Sequence, residues 1–281
     1  MKLMRSAEGA AVLNGDRAVL FDEVNAKRGT RLPNDLLALI ESGDLEPLQD
    51  LRGLAGVPLT EVTPRLPYAR PPKIWCIGLN YKSHAEDLNA VQPDEPASFM
   101  KPASCLFEPG GEIVLPPPEV SNDVDAEGEL GVIIGRRCRF VPPEHVGEVI
   151  FGYTTTMDLT ALDVLARNPR FLTRSKSIDT FFSFGPVIVT PDDIADVAGL
   201  EVITEINGAV GSRDFVRNMR HLPEKLVSFH SDYFTFEPGD VISTGCPRAA
   251  RIKPGDTVRS RIDGVGRLDA RVTQGARRPT W

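Results

Sequence analysis

The stretch DAEGELGVIIG, Asp125 to Gly135, decides how this chain is read. Leu130 to Ile134 form a short apolar run with the length of a buried strand. Glu127 and Glu129 stand at its mouth. On an extended backbone residues i and i+2 point to the same face, so the two carboxylates project side by side. Such neighbours repel, and burying either one is costly. Protons, basic side chains or a cation must neutralise them. A second apolar run, IFGYTTTMD, ends on a third acid, Asp158. Three carboxylates converging from two strand ends make a hard, all-oxygen site that suits Mg²⁺, Mn²⁺ or Ca²⁺. The competing arrangement is an exposed strand end whose acids pair with Arg136 or Arg137. E-x-E alone is a weak signal.

The rest of the chain sets the context. Its 281 residues allow one large domain with a small one attached, or two modest domains. At 41% hydrophobic and 25% charged, the composition is that of a globular protein. A formal charge of −7 without a long basic run argues against a nucleic-acid surface. No apolar run approaches the roughly 20 residues of a membrane span, and the N-terminus lacks a signal peptide's apolar stretch. A cytoplasmic protein is expected. Cys76, Cys105, Cys138 and Cys246 are widely spaced, without a CxxC pair, and read as buried thiols in a reducing compartment.

Residues 6–21 read as a hairpin around Asn14-Gly15. Residues 34–51 read as a short helical region with Leu36, Leu37, Leu39 and Ile40 on its apolar face. Pro58, Pro64, Pro67, Pro71 and Pro72 then suit an extended crossing. A boundary is expected near residue 70, with a small N-terminal domain over 1–69 and a larger one over 70–281. Beyond it, many short apolar runs punctuated by Gly and Pro argue for a β-rich domain. Helices are expected only at 82–89, 158–167 and 222–232.

Eight blocks follow one another in this second region: GLNYKSHAED (78–87), FMKPAS (99–104), VDAEGELGVIIG (124–135), FGYTTTMDLTALD (151–163), SKSIDTFFSFGP (175–186), ING (206–208), FEPGDVISTGCP (236–247) and IKPGDTVRSRIDGVGRL (252–268). Together they resemble the fumarylacetoacetate hydrolase family, in particular its acylpyruvase-like and 2-hydroxyhepta-2,4-diene-1,7-dioate isomerase-like members. The resemblance implies an α+β, β-rich fold: a mixed-sheet roll in the C-terminal domain and a smaller N-terminal α+β domain. It also implies one divalent cation, Mg²⁺ or Mn²⁺, on Glu127, Glu129 and Asp158. Lys176 is expected beside that cation. His84 is expected to activate a water together with a carboxylate three residues on.

That carboxylate is Asp87, where the family usually has glutamate, and Glu86 sits one place earlier. Positions i and i+3 share a helix face whereas i and i+2 do not, which favours Asp87. Other positions depart from the family pattern as well. Met157 precedes the ligand aspartate in place of asparagine, Leu162 replaces an arginine, Leu165 stands where glutamine often meets the substrate, and Cys246 replaces a threonine. The metal set is retained while part of the polar surround has become apolar, which implies an altered, more apolar substrate. Arg167, Arg170 and Arg174 are the nearby basic candidates. His145, His221 and His230 match no catalytic position.

The family's substrates are 2-oxo acids and 1,3-diketones, whose adjacent oxygens can chelate one metal and so stabilise an enolate. With His84 and a carboxylate to activate water, and Lys176 with the N–H groups around Thr244 and Gly245 to meet a developing oxyanion, the expected reaction is hydrolysis of a C–C bond in an acylpyruvate-type acid. Decarboxylation, isomerisation and hydration or dehydration of a related 2-oxo acid are the alternatives, followed by non-catalytic metabolite binding. The chain carries no G-x-G-x-x-G after a strand, no P-loop, no G-x-S-x-G and no H-E-x-x-H, which disfavours nucleotide cofactors and serine-hydrolase chemistry. Family members are commonly homodimers, and the same assembly is expected here.

Overall fold

The computed structural model describes residues 1–276. Strands dominate, as the many short apolar runs require. They form two mixed sheets of twelve and five strands. The larger sheet is centred on Val124–Ile134 and Ile150–Ala161, which are buried along their whole length. Both faces of these strands are covered, so their acids and threonines are buried along with their apolar residues. The five-stranded sheet runs Ala209–Phe215, Glu201–Ile206, Thr257–Ile262, Gly266–Gln274 and Glu112–Leu115. Each sheet holds one parallel pairing, Val241–Ser243 with Ile74–Gly78 and Gly266–Gln274 with Glu112–Leu115.

At the N-terminus, Gly9–Asn14 and Arg17–Leu20 form a hairpin in which Asn14 faces Arg17 and Gly15 turns the chain at φ 61°. Lys2–Ser6 extends this hairpin on one side. On its other side it pairs with Phe182–Val189, so the first strands continue the larger sheet. Leu3, Val12, Val19 and Leu39 accordingly share one core with Phe182, Ile188 and Val241. The helix Leu36–Ser42 begins at Asp35, whose carboxylate accepts from the N–H groups of Leu37 and Ala38.

The expected helix at 82–89 is Lys82–Asp87, and that at 222–232 is Pro223–Ser231, opened by a proline in its first turn. The expectation at 158–167 is corrected in its first half. Asp158 to Ala161 continue the strand, paired to Val124–Glu127, and the helix is only Leu162–Arg167. The ladder opposite Val124 holds these residues extended, overriding local preference. No helix among the described residues is long and apolar enough to cross a membrane.

Candidate metal centre and active-site cavity

Strand register builds the acidic cluster. Val124–Ile134 and Ile150–Ala161 run antiparallel, with Asp158 directly opposite Glu127 and Thr156 opposite Glu129. Residues directly opposite share a face, and so do Glu127 and Glu129 at i and i+2. All three carboxylates therefore point the same way. Their oxygens lie within 4.8 Å of one another, and the three residues are 1–5% exposed. Burial rules out the exposed arrangement with Arg136 or Arg137; Arg137 pairs with Glu237 instead.

Gly128 lies between the two glutamates and faces the five-stranded sheet. Its N–H donates to Thr204 Oγ1 at 3.0 Å. A Cβ there would lie 2.6 Å from Thr204 Oγ1 and 2.7 Å from Ser260 Oγ. The second sheet thus packs directly on the backbone of the acidic strand, and only glycine leaves room for it.

Two buried lysines offset the acids. Lys176, at the end of the short helix Leu172–Lys176, donates to Glu127 Oε2 at 2.7 Å and to Asp158 Oδ2 at 2.8 Å. Its ammonium also lies 5.0 Å from the centre of the Phe99 ring. Lys101 donates to Asp158 Oδ1 and to the Leu159 carbonyl, and its side chain is completely enclosed. Lys101 lies in the FMKPAS block, where the sequence assigns it no role; its place at the end of the strand Ala97–Lys101 is the signal that could have found it. Thr160 donates to Glu127 Oε1, and Ser243 to Glu129 Oε2.

Three carboxylates against two ammonium groups leave one negative charge uncompensated. It falls on Glu129, the only one of the three that neither lysine touches. Burial, and then the charges of Asp158 and Glu127, push its carboxyl up to about 8. Burial also opposes ionisation of Glu127, but the charge and hydrogen bond of Lys176, with the Thr160 hydroxyl, help hold that carboxyl below its ordinary value. The donor set fits a hard divalent cation: three carboxylates, no sulfur, and one excess negative charge where a cation would relieve the repulsion.

His84 is buried on the helix Lys82–Asp87. Asn80 fixes the approach to this helix by donating to the carbonyls of Thr244 and His221, and Ser83 donates to the Pro247 carbonyl. Burial lowers the basicity of His84, and its Nδ1 has no hydrogen-bond partner. Asp87 is ion-paired with Arg248 at 2.9 Å, and Glu86 lies 3.7 Å from Lys82 at the surface. Neither carboxylate hydrogen-bonds His84. Thr244 donates to the Leu130 carbonyl through both its N–H and its hydroxyl. The Gly245 N–H donates to Glu129 at 2.8 Å. Both backbone donors of this turn are thus already engaged.

Glu127, Glu129, His84 and Lys176 line a cavity of about 460 Å³, and Leu162 and Leu165 contribute to its walls. That is the size of a small-molecule site. The arrangement can bind a chelating anion over a cation and move a proton through His84.

A profile of the fumarylacetoacetate (FAA) hydrolase C-terminal family matches residues 73–273. An uncharacterised protein of Archaeoglobus fulgidus is 42% identical over 213 residues, which span 75% of this chain and 82% of that protein. The mitochondrial oxaloacetate tautomerase FAHD2A of Homo sapiens is 34% identical over 248 residues, 84% of this chain and 78% of the relative. Among solved structures, maleylpyruvate hydrolase from Sphingobium sp. SYK-6, in complex with manganese(II) and pyruvate, superposes with a TM-score of 0.80 at 30% identity, covering 98% of this chain and all of that one. With the profile spanning most of its length and these relatives aligned over three quarters of it or more, the chain belongs to the fumarylacetoacetate hydrolase family.

Proposed function

We propose that this protein is a divalent-metal-dependent hydrolase that cleaves a C–C bond in an acylpyruvate-type 2-oxo acid. The observation that carries the proposal is the buried cluster of Glu127, Glu129 and Asp158, one charge short of neutrality, opening on a cavity that also holds His84. Mg²⁺ or Mn²⁺ on these carboxylates supplies electrophilic polarisation of the substrate's adjacent oxygens. Lys176 remains beside the substrate's carboxylate end and offsets its negative charge. His84 has a lowered basicity, so its neutral ring can take a proton from water near the acyl carbonyl. The water oxygen joins the acyl carbon, the bond from that carbon to the methylene breaks, and the methylene takes up a proton. The products are a carboxylate and pyruvate. A homodimer in the cytoplasm belongs to the same proposal.

One observation favours a second outcome at the same site. Asp87 is held by Arg248 and does not hydrogen-bond His84. A single imidazole is sufficient for keto–enol tautomerisation, which needs only one proton moved between carbon and oxygen. The test is to strip the protein with a chelator, restore Mn²⁺, and incubate with acetylpyruvate. Stoichiometric acetate and pyruvate support hydrolysis. Deuterium exchange at the central carbon without acetate release replaces hydrolysis with tautomerisation. Neither event, or turnover without added metal, overturns the proposal.

A further inference from the structure

We propose that the substrate carries a single carboxylate and an uncharged, apolar tail, and that the cavity turns away 2-oxo acids with a second carboxylate. This rests on the assignment of a divalent cation and a 2-oxo acid to the same site. Two independent features support it.

The first is the wall. Away from the acidic cluster, the cavity is lined by Leu88, Phe99, Leu162, Leu165, Pro169 and Leu172. Lys176 and His84 are the only basic side chains among the described lining residues, and both stand at the cluster. The nearby arginines do not enter the lining. Arg167 pairs with Asp163 at 3.3 Å and is 54% exposed. Arg174 lies over the Phe171 ring, 4.6 Å from its centre. Arg170 is exposed, and Arg248 is engaged by Asp87.

The second is the charge count. Glu127, Glu129 and Asp158 carry three negative charges, and Lys101 and Lys176 carry two positive ones. A divalent cation leaves the site with one net positive charge. One substrate carboxylate neutralises it. A second carboxylate, lying among Leu162, Leu165 and Leu172, would be desolvated without a counter-charge, and burying an unpaired ion is strongly unfavourable. Each tail methylene that those side chains cover instead strengthens binding about fourfold.

The test compares two acids of equal chain length, 2-oxohexanoate and 2-oxoadipate, with pyruvate as a probe of the head group alone. Binding to the Mn²⁺-loaded protein is measured by calorimetry, which does not depend on turnover. We expect 2-oxohexanoate to bind at least about tenfold more tightly than 2-oxoadipate and more tightly than pyruvate. In Leu165→Arg that ratio should collapse or reverse; Leu162→Arg serves the same purpose if the first variant does not fold. If pyruvate binds but 2-oxoadipate equals or exceeds 2-oxohexanoate in the unaltered protein, the apolar-tail assignment is wrong and the metal assignment survives. If none of the three acids binds, both assignments fail.

Discussion

Arg248 Nη1 lies 2.9 Å from Asp87 Oδ1, and His84 Nδ1, one helical turn back, is left without a hydrogen-bond partner. A freed Asp87 carboxylate beside His84 would favour the protonated ring. Arg248→Gln should therefore move the acid limb of the kcat/KM profile to higher pH, and Asp87→Asn should move it the opposite way or leave it in place. Steady-state rates with acetylpyruvate across pH 5 to 9 would check this. Identical profiles for all three proteins would show that Asp87 does not act on His84.

Glu129 titrates near 8, above its ordinary value of 4.5. The folded, ion-free protein thus holds a proton that the unfolded chain releases. That contribution to stability is complete below the ordinary value and lost as pH rises through about 8. Ion-free protein should become less stable across this window, measured by denaturant unfolding. Saturating Mn²⁺ should remove the loss at the alkaline end, because bound cation replaces the proton. Glu129→Gln should flatten the dependence while abolishing tight Mn²⁺ binding.

Lys101 is enclosed against Asp158 and touches no other acid. Lys101→Met leaves two more negative than positive charges in the cluster, and breaking a buried pair costs about 3–5 kcal/mol. Stability of the ion-free variant should fall by that order. Saturating Mn²⁺ should recover a larger share of stability in the variant than it adds to the unaltered protein. Equal gains from Mn²⁺ in the two proteins would place the cation away from Asp158.

Gly128, on the acidic strand, is pressed against the five-stranded sheet, with Thr204 Oγ1 and Ser260 Oγ inside the space that a Cβ would occupy. Gly128→Ala should destabilise by about 1–3 kcal/mol through overpacking. It should also weaken Mn²⁺ binding, because Glu127 and Glu129 must shift with the strand. Thermal unfolding and Mn²⁺ titration of one preparation read both effects.

Much of the centre was legible along the chain because it is built from local periodicity. Glu127 and Glu129 share a face at a spacing of two, whatever the strand pairs with. Gly15 marks its hairpin for a similarly local reason. The ordered blocks placed Asp158 and Lys176 in the same set. The strand running on past Asp158 to Ala161 was not legible, since the ladder to Val124–Glu127 holds those residues extended, and ladder partners 31 to 37 positions away leave no mark on a local window.

What only the tertiary structure decided is which charges meet. Register sets Asp158 opposite Glu127, two lysines from distant segments converge on the acids, and Glu129 is left as the uncompensated group. Asp87 and its helix spacing were visible, but its capture by Arg248 was not. The same holds for the arginines near Leu165, which stay outside the cavity. Periodicity depends on backbone geometry and can be read from neighbours. Electrostatic balance depends on distances between segments far apart in the chain, and only the folded arrangement sets those.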